Sequence, residues 1–193
     1  VSASLQNILA DHKRRYGSLK LLPKMAAIHL NDTHPALAIP ELMRLLIDEN
    51  GMTWEEAWNI TTSVCAYTNH TVLAEALETW PEDLIARRLP RIYSIFKEIN
   101  RRLCEDLWVR FPGDWDKISR MAIMSYNVVK MANLSVHGSH HVNGVSGLHS
   151  EIIKDSIFKD FYEFTPQKFT NVTNGIAHRR WLNQSNPELC SLL

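Results

Sequence analysis

The chain has 193 residues, 45% of them apolar and 22% charged, which describes a globular protein long enough to bury one sizeable core. Its 21 basic and 21 acidic side chains cancel, leaving no net charge beyond the nine histidines. That balance removes the electrostatic footprint that nucleic-acid or anionic-membrane binding requires, and a neutral ligand fits it better.

From the start, Leu5, Ile8, Leu9 and His12 recur at helical spacing. Met25 to Leu30 reads as a buried strand that ends in the polar string Asn31-Asp32-Thr33-His34. Pro40 opens a helix through Leu42, Leu45, Leu46 and Glu49, stopped at Gly51. Thr53 and Glu56 have the spacing of a capping box for a helix containing Trp54, Ala57, Trp58 and Thr61. Thr68 to Thr71 is a polar loop, with Asn69-His70-Thr71 read as structural and without a direct chemical role, followed by a short helix up to Trp80-Pro81. Pro81, Glu82 and Asp83 start another short helix, closed by Arg87, Arg88 and Pro90.

The clearest helix spans Pro90 to Arg110, with Ile92, Ile95, Phe96, Ile99, Leu103 and Leu107 on one stripe. Asp114 caps the next. Val128 to Val136 fits either helix or strand. Gly138 and Gly144 frame a polar loop, after which a helix turns Val145, Leu148, Ile152, Ile153 and Ser156 inward. Phe169 to Thr173 alternates like a strand and ends in the turn Asn174-Gly175. Pro187 starts a last helix that runs to Leu193 without a cap. With Val1 in place of an initiator methionine, both ends read as cut from a longer chain. The pattern is helix-rich α/β.

Cys65, Cys104 and Cys190 are odd in number and widely spaced, which reads as reduced thiols and not a disulfide frame or a zinc site. No apolar run is long enough to span a membrane, and a cytoplasmic setting is expected. Three polar clusters follow apolar elements: Asn31 to Pro35, Gly138 to Gly144, and Asn171 to Arg180. Ligands bind at strand ends in α/β proteins, and a mixture of Asn, Asp, His and Thr can both donate to and accept from a polyol. The same residue types also make plain caps and turns.

Residues Asn31-Asp32-Thr33-His34-Pro35-Ala36-Leu37-Ala38-Ile39-Pro40-Glu41-Leu42 closely resemble the glycogen, starch and maltodextrin phosphorylases. So do Ala66 to Val72, Gly138-Ser139-His140, Val142 to Val145, Ile157 to Tyr162, Asn174-Gly175-Ile176 and Arg179-Arg180-Trp181, in the family's order. The resemblance implies transfer of a terminal glucosyl unit from an α-1,4-glucan to inorganic phosphate, giving glucose 1-phosphate with retention. It implies the paired Rossmann-like domains of the GT-B fold. Residues 1–168 would be the later part of the first domain and 169–193 the crossover into the second.

By resemblance, His140 is the catalytic histidine that hydrogen-bonds the glucosyl 6-hydroxyl. Asn174 holds the same hydroxyl, and Asp32 and His34 line the acceptor side, placed on one side by their spacing on an extended end. Ala74, His141 and His178 depart from the residues common in relatives, and none removes a sugar contact. The resemblance also implies pyridoxal phosphate in the full-length parent and a homodimeric parent. No lysine of this chain lies in the glycine-rich setting that holds the cofactor, so the chain alone is expected to be inactive. Open sheet edges and the apolar end with Leu189, Leu192 and Leu193 are expected to make it self-associate.

Two other readings compete. A metal-dependent hydrolase draws on Asp32, His34, His137, His140, His141 and His149, but adjacent histidines on an extended segment point to opposite faces and no HExxH motif is present. A non-catalytic carbohydrate-binding module wants an exposed aromatic platform, whereas the tryptophans fall in helical patterns and are expected to be buried, with Trp54 packing on Trp58.

Overall fold

The computed structural model describes residues 1–193. Helix α1 (Ser2–Tyr16) leads through a 3-10 turn to α2 (Leu22–Met25) and strand β1 (Ile28–Asn31). Helix α3 (Ala38–Arg44) widens into a π turn at Leu45–Glu49, and α4 (Trp54–Val64) runs directly into β2 (Cys65–Thr68). Then come β3 (Thr79–Pro81), α5 (Glu82–Arg88), α6 (Pro90–Arg110), α7 (Trp115–Met121), β4 (Met124–Ser125) and β5 (Val128–Lys130). The remainder is α8 (Met131–His137), β6 (His141–Gly144), α9 (Gly147–Asp155), α10 (Lys159–Phe164), β7 (Phe169–Asn171), α11 (His178–Ser185) and α12 (Pro187–Leu192).

Strands β1, β2, β6 and β7 form one sheet in that order, and every neighbouring pair is parallel. Parallel neighbours need long crossovers, and the helices supply them. A second, antiparallel sheet, β3-β5-β4, lies beside it. Leu30, Tyr67, Val142 and Phe169 share a register row on one face of the parallel sheet, and all four are buried in a single core. The opposite face carries His29, Ala66 and His141 in one row and Asn31, Thr68, Asn143 and Thr170 in the next. Parallel strands are ordinarily apolar on both faces; here one face is polar.

The helices follow their sequence signals closely. Thr53 Oγ1 accepts from Glu56 N, and Thr53 N donates to the Glu56 carboxylate, both at 3.2 Å, so the capping box is formed. Pro90 starts α6, and its six stripe residues are all buried. Asp114 accepts from Lys117 N at 3.0 Å. The Asn133 side chain donates to the carbonyls of Arg120, Met121 and Ala122, closing the end of α7.

Several expectations change. Val128 to Val136 is both alternatives in succession, β5 and then α8. The short helix expected before Trp80-Pro81 reduces to a 3-10 turn at Ala74–Ala76 and strand β3. β1 begins at Ile28 and lies at the sheet edge, so only its Leu30 is fully buried. The polar segment between Gly138 and Gly144 contains β6, an interior strand. In α9 the buried residues are His149, Ser150 and Ile153, while Leu148 faces solvent. The expected domain boundary at residue 169 coincides with β7, which is hydrogen-bonded into the parallel sheet.

Helix α9 returns tightly against β6. A Cβ on Gly144 would lie 2.7 Å from Ser150 Oγ and 2.9 Å from Ser150 N. Gly144→Ala is therefore expected to destabilise the chain by about 1–3 kcal/mol through forced displacement of α9. Urea unfolding checks this, and an unchanged midpoint would mean that the helix yields freely.

Candidate active site

Because all four strands run the same way, their C-terminal ends form one edge. Asn31, Thr68, Asn143 and Asn171 stand there, and the following loops carry the groups that matter. Asp32 N donates to Thr68 O, Asn69 N to Asn143 O, and Asn174 N to Val145 O, at 2.9–3.0 Å. The ladder thus continues past the strands and aligns the three loops. Asp32 and Asn174 lie at opposite ends of this edge, three strand spacings or about 14 Å apart.

Asp32 is not extended. Its φ is 65°, in the left-handed region, and its carboxylate accepts from Thr33 N at 2.6 Å. The expected alternation that puts Asp32 and His34 on one side therefore does not operate; a turn, closed by Ala36 N donating to Thr33 O, presents them instead. Thr33 Oγ1 donates to Glu78 at 2.6 Å, and Trp80 Nε1 donates to the other oxygen of the same carboxylate at 2.8 Å. This ties the Asp32–His34 turn to the small sheet. His34 itself is exposed, and its side chain makes no hydrogen bond within the chain.

His70, on the loop after β2, is exposed at this edge and donates from Nε2 to Asn31 Oδ1 at 2.6 Å, while its Nδ1 makes no hydrogen bond within the chain. Behind it, Asn69 is fully buried. Its amide donates to Tyr67 Oη, and its Oδ1 accepts from Thr71 N, both at 3.1 Å. On the polar face of the sheet, His29 Nε2 donates to Thr68 Oγ1, which donates to Asn143 Oδ1. Burial pushes the Cys65 thiol up to about 12 and raises Tyr67 as well, so neither ionises near neutral pH.

His140 is elsewhere. Its N donates to Cys65 O, at the beginning of β2, and the residue precedes the first residue of β6. It lies at the N-terminal edge, three residues or about 10 Å along β6 from Asn143. The structure therefore brings Asp32, His34 and Asn174 to one edge with His70, and leaves His140 at the other. Its exposed ring contacts His141, the two Nδ1 atoms 2.5 Å apart. The opposite-face expectation for this pair fails because only His141 belongs to the strand. No three His, Cys, Asp or Glu side chains converge in a metal-binding arrangement. One signal for His70 was already present in the sequence: it sits in the Ala66 to Val72 match, directly after the Thr68-Asn69 polar pair.

The N-terminal edge is built for packing. His137 stacks on Trp58 with centroids 5.1 Å apart, and Arg102 lies over Trp54, so each indole takes its own partner. Lys168 donates to the carbonyls of Val136 and His137, and burial lowers its pKa to about 8. Lys130, also partly buried, donates to Ser119 O and Arg120 O. These two half-buried lysines are committed to backbone carbonyls, so they do not fit a pyridoxal phosphate site. Nor are the tryptophans buried as expected: Trp80, Trp108, Trp115 and Trp181 are exposed, and Trp108 stacks on Trp115 at 4.5 Å.

The C-terminal edge of a parallel α/β sheet, where short polar groups gather, is where proteins of this class place ligands. The chain belongs to the carbohydrate phosphorylase family, whose model matches residues 1–193. It is 52% identical over 193 residues to glycogen phosphorylase of Bacillus subtilis (strain 168). It is 50% identical to the muscle forms of glycogen phosphorylase from Bos taurus and Homo sapiens. Each match covers 100% of this chain and 24% of the relative, so the chain spans about a quarter of their length. No helix is long and apolar enough to cross a membrane.

Burial, reinforced by the Lys168 charge, holds the His137 pKa down at about 3, against 6.5 for a free imidazole. Between those values the unfolded chain binds a proton that the folded chain refuses. This contribution is complete above pH 6.5 and is lost as pH falls towards 3. Urea midpoints should therefore drop between pH 6.5 and 5, before carboxylates titrate, and drop less in His137→Gln. Parallel curves for the two proteins would refute the assignment.

Proposed function

We propose that this chain forms part of the glucan-binding wall of an α-1,4-glucan phosphorylase of the GT-B type. Such an enzyme moves a terminal glucosyl unit to inorganic phosphate and releases glucose 1-phosphate with retention. The observation that carries the reading is the convergence of Asp32, His34, His70 and Asn174 on one sheet edge in a chain of this family. Residues beyond Asn174, where the ladder ends, are proposed to begin the crossover to the second domain.

In this reading His70 takes the role that the resemblance gave to His140. With Nε2 anchored on Asn31, the ring is oriented so that its Nδ1 can meet a sugar hydroxyl. Asn174 offers an amide that can both donate and accept. Asp32, held by its own backbone turn, sets a carboxylate near the acceptor side, where it favours a ring acquiring positive charge. Pyridoxal phosphate supplies acid–base chemistry at the attacking phosphate in this family, and we place its lysine and the phosphate-binding groups outside these residues. The parent is proposed to be a cytoplasmic homodimer.

A non-catalytic carbohydrate-binding surface is the second reading. The exposed Trp108–Trp115 stack favours it, since indole faces pack against sugar rings. Loss of glycogen binding in Trp115→Ala with turnover intact would assign binding to that surface.

In the full-length enzyme that contains this segment, His70→Ala is expected to lower kcat by roughly 10²-fold, as for loss of one donor or acceptor made strong in the transition state. His140→Ala should leave kcat nearly unchanged. Glucose 1-phosphate release measures both, and the opposite ranking would overturn the assignment. The 193 residues alone, supplied with pyridoxal phosphate, should release none above a blank.

A further inference from the structure

His149 is buried on α9, and its ring touches the His70 loop and the loop after β6, which in turn holds Asn174. Ser146 Oγ accepts from His149 N at 3.1 Å and caps the helix. The side chain then folds back towards the helix start. Its Nδ1 accepts from Val145 N at 3.0 Å, and its Nε2 faces Asn69 Oδ1 at 3.1 Å and Thr71 O at 3.3 Å.

Those partners determine the state of the ring. Val145 N–H can only donate, so Nδ1 must be bare; both neighbours of Nε2 accept there, so Nε2 must carry the hydrogen. The imidazole is therefore neutral and in the Nε2–H tautomer. Its reach is what matters. Asn69 and Thr71 flank His70 in the chain, and Val145, whose N–H the ring accepts, uses its carbonyl to hold Asn174 N. One rigid ring thus spans from the loop of His70 to the turn that locates Asn174.

We propose that His149 is a positioning residue of the glucosyl site, setting the separation between the His70 loop and the Asn174 turn. This rests on the site reading given under the proposed function. A spacer of this kind matters because a displacement of about 1 Å among groups that clasp a substrate costs on the order of 10²-fold in rate.

The test uses the full-length enzyme and two readouts. Hydrogen exchange, read by mass spectrometry, needs no turnover. His149→Ala should speed exchange about tenfold in peptides covering residues 70–73 and 172–176, the effect of losing one buried hydrogen bond. His149→Gln retains a donor near the Nε2 position and should protect the first peptide only; His149→Asn retains an acceptor near Nδ1 and should protect the second only. Exchange equal to wild type in His149→Ala, or equal loss of both peptides in all three variants, overturns the proposal.

In turnover, His149→Ala should lose about tenfold in kcat, whereas Ile153→Ala, which empties the core under the same helix, should lose stability and keep kcat. Equal losses of kcat at a temperature well below both unfolding transitions would make His149 merely structural. A wild type that exchanges as described but makes no glucose 1-phosphate would sink the site reading and leave the spacer standing.

Discussion

Strand β2 lies between β1 and β6 in one parallel register, and the placement of the polar edge depends on that pairing. Asn31, Thr68 and Asn143 fall in a single row because Leu30, Tyr67 and Val142 occupy the preceding row on the buried face. A slip of one residue would turn Tyr67 and Val142 outward and expose two large buried side chains. The hydrophobic core therefore sets the alignment of groups that never enter it. From that row the ladder runs on through Asp32, Asn69 and Asn174, so the loops inherit the strands' order.

The sheet's polar face follows from the same alternation. A hydroxyl or amide on a half-covered sheet needs partners, and the path from His29 through Thr68 to Asn143 supplies them laterally, strand to strand. Glu78 does similar work at the rim, where it collects Thr33 and Trp80 and fastens one loop to the second sheet. Both arrangements leave the outermost groups, His34 and Asn174, without side-chain partners inside the chain.

Elements with a strong local signal were legible from sequence. The α6 stripe, the Thr53–Glu56 box and the Asp114 cap each depend on a few residues close together, and each stands as read. Strands β2 and β6 were not legible. Cys65-Ala66-Tyr67-Thr68 is too short to show a period, and β6 contributes one apolar side chain, Val142, so it resembles a glycine-bounded loop. That omission bears on how the site residues were placed. With no strand recognised at 141–144 there was no direction to assign, and nothing distinguished the entry side, where His140 sits, from the exit side. The loops of Asp32, His34 and Asn174 follow strands that sequence alone did reveal, so the edge they occupy could be read.

The left-handed backbone at Asp32 has a consequence for how this position can vary. Asparagine tolerates that conformation about as readily as aspartate, whereas β-branched and bulky residues do not. On the proposed site reading, two demands act on one residue, one for the carboxylate and one for the turn. A library screened here would return few functional variants even if charge were dispensable, because most replacements would fail on geometry first. Asparagine isolates the charge and glycine isolates the backbone, so those two substitutions together separate what the position needs electrically from what it needs sterically.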